Sequence, residues 1–374
     1  MGILFKLDPE TIIGADALSM SGTICSRYGN RIMIAADNAL DPGVIRRLKN
    51  VLEDSGIEAI AFDGIAEKTT MDMADNIVEL CRASHCTAVI GFGGPKTQTI
   101  ARMTAIMAPM KITVFELLEG RKFRQKFLPF IAIPTTGIDT FMFTDYFTIV
   151  DPRDRLVKPV YSPDKLCAAV IIDSTLSTSL SGEAGAEFVF DGFCTAVEAY
   201  CSTKANFLSD ALLERALSLY IKMMKTGPEN IDADTNAQAG FLTSMGASLS
   251  SPGIGTALSL AINARFPITK SLCSTVLLPF IMERLVSARP EKMARVAAFL
   301  GIKGSTVAES ANSAPAGIRR YMEALKVKSN LKELNIQLDK LIASAEAARN
   351  LDFVSNSPWT VSEEDIFEIL KQIL

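Results

Sequence analysis

Histidine is almost missing from this chain of 374 residues: His85 is the only one. A metal centre built on several imidazoles is thereby excluded. Paired cysteine motifs are missing as well. The seven cysteines, Cys25, Cys81, Cys86, Cys167, Cys194, Cys201 and Cys273, are odd in number and contain no C-x-x-C, which reads as reduced, mostly buried thiol in a cytoplasmic protein. Neither sign of charge is in excess, since 38 Lys and Arg face 42 Asp and Glu for a net charge of -4 at pH 7. Neither nucleic acid nor an anionic membrane is an expected partner. The opening MGILFKLDPETII has no basic region followed by a long apolar core, so no secretory signal or anchor is expected, and Lys6 stands where a myristoylation signal needs Ser or Thr. Internal repeats, low-complexity tracts and a flexible linker are also lacking.

What is present is apolar residue, 48% of the chain, enough for one large or two ordinary cores, and two domains are the better expectation. Up to about residue 175, short β-branched or apolar runs alternate with amphipathic stretches, the pattern of a parallel α/β sheet. The candidate strands are RIMIAAD (Arg31 to Asp37), EAIAFDG (Glu58 to Gly64), TAVIGFGG (Thr87 to Gly94), KFLPFIAIP (Lys126 to Pro134) and AAVIID (Ala168 to Asp173). Between them, Val44 to Gly56 and Thr69 to Ser84 place apolar residues three and four apart, as covering helices would. An antiparallel excursion, FTDYFTIVDPRDRLVKPVYSP, carries its turn at Asp151-Pro152. After Leu176 the β signal ends, and the rest reads as successive helices broken at Pro228, Pro252, Pro290 and Pro315. The expected division is an α/β domain over 1–176 and an all-α domain over 177–374, tightly apposed around a cleft.

Several segments carry a resemblance. DGFCTAVEAY (Asp191 to Tyr200) resembles the D-A-L-T-H-A-I-E-A-Y helix of the iron-containing alcohol dehydrogenases, and the run Gly253 to Pro279 resembles that family's G-x-x-H-A-L…P-H-G-x-A-N-x-x-L-P stretch. TIIGADAL, IEAIAFDGI and FVSNSPWTVSEEDIFEIL are similar to its opening turn, an early strand and its closing segment. The likeness spans almost the whole chain and implies an N-terminal Rossmann-like dinucleotide domain, a C-terminal helical domain of the dehydroquinate synthase-like fold, and an active site in the cleft. The family holds its metal with one aspartate and three histidines. Here Asp191 keeps the aspartate position, while Thr195, Thr256 and Lys270 stand where the histidines would be. A register slip at Thr256 would put Leu258 there instead. An ammonium has no lone pair for iron or zinc, so the resemblance implies a degenerate metal site, with Asp191 the only ligand if a metal binds at all.

The family's G-G-G-S-x-x-D-x-A-K turn appears as Gly93, Gly94, Pro95, Lys96, Thr97, Gln98, Thr99, Ile100, Ala101 and Arg102. Two glycines allow close backbone approach to a pyrophosphate, Lys96 adds a cation, and Pro95 removes one N–H. The I-P-T-T-A-G-T-G-S-E segment becomes Ile133 to Met142, keeping Thr135 and Thr136 as cofactor contacts, while Phe141, Met142 and Phe143 are either core residues or obstacles to nicotinamide. Asp37 resembles the acid that hydrogen-bonds an adenosine ribose and so favours NAD over NADP, though an aspartate at a strand end also caps turns. The implied protein is an NAD(P)-linked oxidoreductase, expected as a homodimer, acting on a small alcohol, aldehyde or ketone. In it Lys270 replaces the metal, Asp191 is its partner, and Thr195 and Thr256 act as hydroxyl donors. The alternatives are an inactive nucleotide- or ligand-binding homologue, in which Lys270 and Asp191 form a structural ion pair, and a metal-free lyase or synthase. His85, between Cys81 and Cys86, lacks a fourth ligand nearby and reads as part of a helix-to-strand turn.

Overall fold

Alternation of apolar runs with amphipathic stretches becomes a parallel sheet with covering helices in the computed structural model, which describes residues 8–66, 71–110, 112–119, 127–162, 166–179, 182–227, 230–334, 336 and 338–374. Lys6, the expected strand start at Lys126, the helix start at Thr69 and the break at Pro228 lie outside the described residues. The chain separates into two units, Met1–Pro152 with Lys158–Thr178, and Arg153–Val157 with Ser179–Leu374.

In the first unit the order is β1 (Glu10–Gly14), α1 (Ser21–Cys25), β2 (Arg31–Asp37), α2 (Pro42–Asp54), β3 (Glu58–Ile65), α3 (Met71–Ala83), β4 (Ala88–Gly93), α4 (Pro95–Met107) and α5 (Val114–Leu118). There follow β5 (Phe130–Pro134), β6 (Tyr146–Val150), β7 (Val157–Tyr161) and β8 (Cys167–Asp173). Six strands pair in the order β1-β8-β5-β4-β2-β3, all parallel, and β6 with β7 makes a separate two-stranded sheet around the expected turn. β4 is buried at every position because such a sheet is covered on both faces, which is why its sequence runs apolar without alternation. Entry into α2 is set by Asp41, whose carboxylate accepts the Gly43 N–H at 2.6 Å, with Pro42 at the first helical position. The chain leaves β2 for β3 on one side and returns to β4 on the other. The C-terminal ends of β2 and β4 therefore flank a topological switch point, where open α/β sheets bind ligands.

α3 ends in a left-handed cap. His85 has φ 51°, its N–H donates to the Arg82 carbonyl at 3.0 Å, and the Cys86 N–H donates to the Cys81 carbonyl at 3.1 Å. The lone histidine thus sits at a helix-to-strand turn, and among the described residues no group of three or more His, Cys, Asp or Glu is placed to hold a metal ion.

The second unit contains α6 (Gly182–Cys201), α7 (Phe207–Thr226), α8 (Ala233–Leu249), α9 (Ile254–Arg265), α10 (Lys270–Ala288), α11 (Pro290–Phe299), α12 (Val307–Ala324), α13 (Leu338–Arg349) and α14 (Glu363–Ile373). Pro252 lies between α8 and α9, and Pro290 opens α11. Pro315 does not break the helix as expected. It lies inside α12, as Pro279 lies inside α10. Each loses one intrahelical hydrogen bond. In α12 the buried stripe of Ala311, Ala314, Pro315, Ile318 and Met322, packed toward α10 and α11, offsets that loss. α10 is long and apolar enough to cross a bilayer, yet 67% of its apolar window is buried inside the protein, as in a core helix.

Candidate active site

In the first unit three strand ends converge on one glycine turn. Gly93 closes β4 with φ 154°, and a Cβ there would lie 2.7 Å from Asp37 Cβ and 2.9 Å from Thr97 Cβ. Only glycine fits, on both counts. Gly94 is extended and serves as N-cap of α4 without a side chain, and Pro95 takes the first helical position, where the missing N–H costs no intrahelical bond. Asp37 ends β2. Its carboxylate accepts the Ala39 N–H at 3.0 Å and the Thr97 hydroxyl at 3.4 Å, so it caps its own turn while facing the glycines. The Thr135 N–H donates to the Gly93 carbonyl at 3.2 Å, and Thr136 Cγ2 would meet a Gly94 Cβ at 3.4 Å. Lys96 is exposed on the first turn of α4. The structure therefore brings Asp37, Gly93, Gly94, Lys96, Thr135 and Thr136 together at the switch point, with the side chains of Asp37, Thr97 and Thr136 packed against the two glycines.

Two supports of this turn are not evident from the motif. The Gln98 side-chain amide donates to the carbonyls of Gly91 and Gly93 at 2.9 Å each and of Ile133 at 3.2 Å, locking the ends of β4 and β5 together. The Arg102 guanidinium pairs with Asp139 at 3.0 Å with both side chains 4% exposed, and Asp139 also accepts the Phe141 N–H at 3.0 Å. The segment after Thr136 is thereby tied to α4. Phe141 and Met142 are buried, 7% and 4% exposed, and the Phe141 ring packs on Tyr146 at 5.4 Å. Both are core residues of this unit.

In the second unit Asp191, Thr195 and Glu198 fall at i, i+4 and i+7 on one face of α6. Lys270, first residue of α10 after its N-cap Thr269, donates from Nζ to Asp191 Oδ1 at 2.6 Å, with side-chain exposures of 20% and 4%. An ammonium at a helix N-terminus opposes the macrodipole, and the Asp191 carboxylate compensates both charges. Thr195 is fully buried and its Oγ1 has no hydrogen-bond partner. Thr256 differs from the expectation of a free hydroxyl donor. Its Oγ1 donates to Glu198 at 2.7 Å, so toward any other group it presents lone pairs. Leu258, the alternative in register, is fully buried among apolar side chains of α9.

Glu198 keeps the glutamate of the D-A-L-T-H-A-I-E-A-Y motif but was given no role in the sequence reading, yet it organises this end of the unit. Its carboxylate accepts the N–H groups of Gly253 at 3.3 Å, Gly255 at 2.5 Å and Thr256 at 2.9 Å, in addition to the Thr256 hydroxyl. α9 has a glycine N-cap with no side chain, and Glu198 of α6 supplies the missing acceptor. Burial pushes the Glu198 carboxyl up, while the Thr256 hydroxyl and the three N–H groups pull it back. The available signals were that retained motif glutamate and its place inside the apolar run FVFDGFCTAVEAYC, since a buried charge requires partners. Cys194 and Cys273 are also fully buried. Burial raises both thiols, and the negative charges of Glu198 and Asp191 raise Cys194 further, so neither is a thiolate available for chemistry.

Comparison with known proteins places this geometry. Residues 9–174 match the family model for iron-containing alcohol dehydrogenase, and residues 186–374 match that for the C-terminal domain of the Fe-containing alcohol dehydrogenase family. Among curated proteins, the chain is 23% identical to 1,3-propanediol dehydrogenase of Citrobacter freundii, covering 96% of this chain and 95% of the relative. It is 20% identical to NAD-dependent methanol dehydrogenase of Bacillus methanolicus, covering 99% of each. Among solved structures, a 1,3-propanediol oxidoreductase superposes with a TM-score of 0.92 at 22% identity over 100% of both chains. At that identity the superposition shows the shared fold.

Proposed function

The chain belongs to the iron-containing alcohol dehydrogenase family, and on that premise we propose that it is an NAD(P)-linked oxidoreductase interconverting a small alcohol and its aldehyde or ketone, with Lys270 acting in place of the metal. The 2.6 Å contact of Lys270 with Asp191 carries this reading, because it sets a charged proton donor at a position the family gives to a ligand. The donor set does not fit iron or zinc. Asp191 offers one carboxylate that already accepts from Lys270, Thr195 and Thr256 offer neutral hydroxyls, and the ammonium offers no lone pair.

Bound NADH would supply the hydride. The work of the chain is binding and proton management. Gly93 and Gly94 admit the pyrophosphate, Lys96 adds positive charge, Thr135 and Thr136 offer hydroxyls, and Asp37 accepts from a ribose hydroxyl. NAD is favoured because Asp37 repels a 2′-phosphate, and the Bacillus methanolicus relative is described as NAD-dependent. In the reducing direction the Lys270 ammonium hydrogen-bonds the carbonyl oxygen, stabilises the charge growing there and delivers the proton. Its partly exposed side chain then regains a proton from solvent. Thr195 supplies a hydroxyl without a competing partner, and Thr256 accepts.

The test is titration of the purified protein with NADH and NADPH, turnover with a panel of small carbonyl compounds, and elemental analysis. NADH binding, turnover without stoichiometric iron or zinc, and a loss of about 100-fold or more in kcat for Lys270→Met with NADH binding retained are expected. Binding without turnover on any carbonyl, or a tightly held divalent metal, would overturn the lysine mechanism.

A further inference from the structure

The turn joining α3 to β4 carries two thiols that the proposed reaction does not use. In the cap described above, Cys81 lies four places before the left-handed His85 and Cys86 directly follows it. Those are the two positions whose side chains meet across this motif. The guanidinium of Arg31 donates to the Ser84 carbonyl at 3.2 Å within the same turn. The thiol of Cys81 hydrogen-bonds Cys86, lowering the Cys86 pKa against the effect of burial, while the charges of Arg31 and of its partner Glu58 act on it in opposite directions, and Cys81 is raised. Exposure divides the roles, since Cys86 is 8% exposed and Cys81 1%.

The geometry points to Cys81 and Cys86 as a dithiol that closes reversibly into a disulfide across this turn, with a hydroperoxide as oxidant. The Cys86 thiolate attacks the peroxide oxygen, the O–O bond breaks, and a sulfenic acid forms at Cys86 with release of hydroxide, or of alkoxide from an alkyl peroxide. The Cys81 sulfur then displaces the sulfenic oxygen, forming the S–S bond and releasing water after loss of its own proton. With hydrogen peroxide, two thiols and one peroxide yield one disulfide and two waters, and a small-molecule dithiol reverses the change. The bridge spans four intervening residues and staples the last turn of α3 to the start of β4, the end of that strand away from Gly93.

The experiment treats the folded full-length chain with hydrogen peroxide, alkylates remaining thiols and digests with trypsin. Cleavage after Arg82 falls inside the loop, so a bridge appears as the peptide Thr69 to Arg82 joined to the peptide Ala83 to Lys96, with a mass two hydrogens below their sum. Cys86 is expected to react about tenfold faster than the buried Cys25, Cys194, Cys201 and Cys273. In Cys81→Ser, Cys86 should stop at a sulfenic acid that dimedone captures, and in Cys86→Ser, Cys81 should stay reduced. Unjoined peptides in the oxidised wild type, a Cys86 no more reactive than the other buried thiols, or a bridge to any third cysteine would each overturn the proposal. None of these readouts depends on dehydrogenase activity.

Discussion

At the residue scale, the second unit separates two hydroxyls that the motif leaves equivalent. Thr195 has an unsatisfied buried hydroxyl, so Thr195→Val removes a desolvated polar group and leaves thermal stability unchanged or raises it by up to about 1 kcal/mol. If that hydroxyl serves the substrate, the same variant raises KM or lowers kcat, and steady-state kinetics beside calorimetry separates the two effects. Thr256→Val has the opposite sign. It removes a hydrogen bond to a buried carboxylate and is expected to cost about 1.5–3 kcal/mol in denaturant unfolding. Both threonines and Lys270 were legible from aligned positions, because side-chain type sets the available chemistry. The commitment of Thr256 to Glu198 was not, because hydrogen-bond direction depends on a partner 58 residues away in sequence.

At the element scale, strands were easier to read than helix interruptions. β2, β4 and β8 fall close to their expected bounds because a largely buried apolar run leaves an unambiguous mark, and the edge strand β3 does so through its β-branched and aromatic residues. Pro315 shows the limit, since a proline penalty is local and the packing that offsets it is not. Close helix packing yields a sharper test at Gly192. A Cβ there would lie 2.2 Å from the Tyr220 hydroxyl oxygen and 2.4 Å from its ring, so Gly192→Ala should push α6 and α7 apart and cost about 1–3 kcal/mol by denaturant unfolding. α14 offers a pH test. Burial raises the Asp365 carboxyl, but the Ser362 N–H and hydroxyl and the Arg284 charge together bring it below the usual range. Its contribution is present above about pH 3.8 and is lost as pH falls through the lowered folded value. Asp365→Asn should therefore cost about 1 kcal/mol at pH 7, with the gap to wild type closing in acid.

For the whole molecule, ligand linkage tests dinucleotide binding and metal dependence separately. NADH at about 100 times its Kd should stabilise the protein by about 2.7 kcal/mol, raising the melting temperature, whereas a chelator such as EDTA should leave it unchanged. A chelator-induced fall in melting temperature would contradict the metal-free reading of Asp191 and Lys270.

The residues alone determined the parallel α/β half, the helical half, the family and the scarcity of histidine, because periodicity, motif spacing and composition are local or additive. Tertiary structure alone decided that Lys270 meets Asp191, that Glu198 caps α9 from another helix, and that Arg102 with Asp139 and Gln98 brace the glycine turn. Each of those is a contact between distant segments, where burial makes an unpaired polar group costly and so selects the partner.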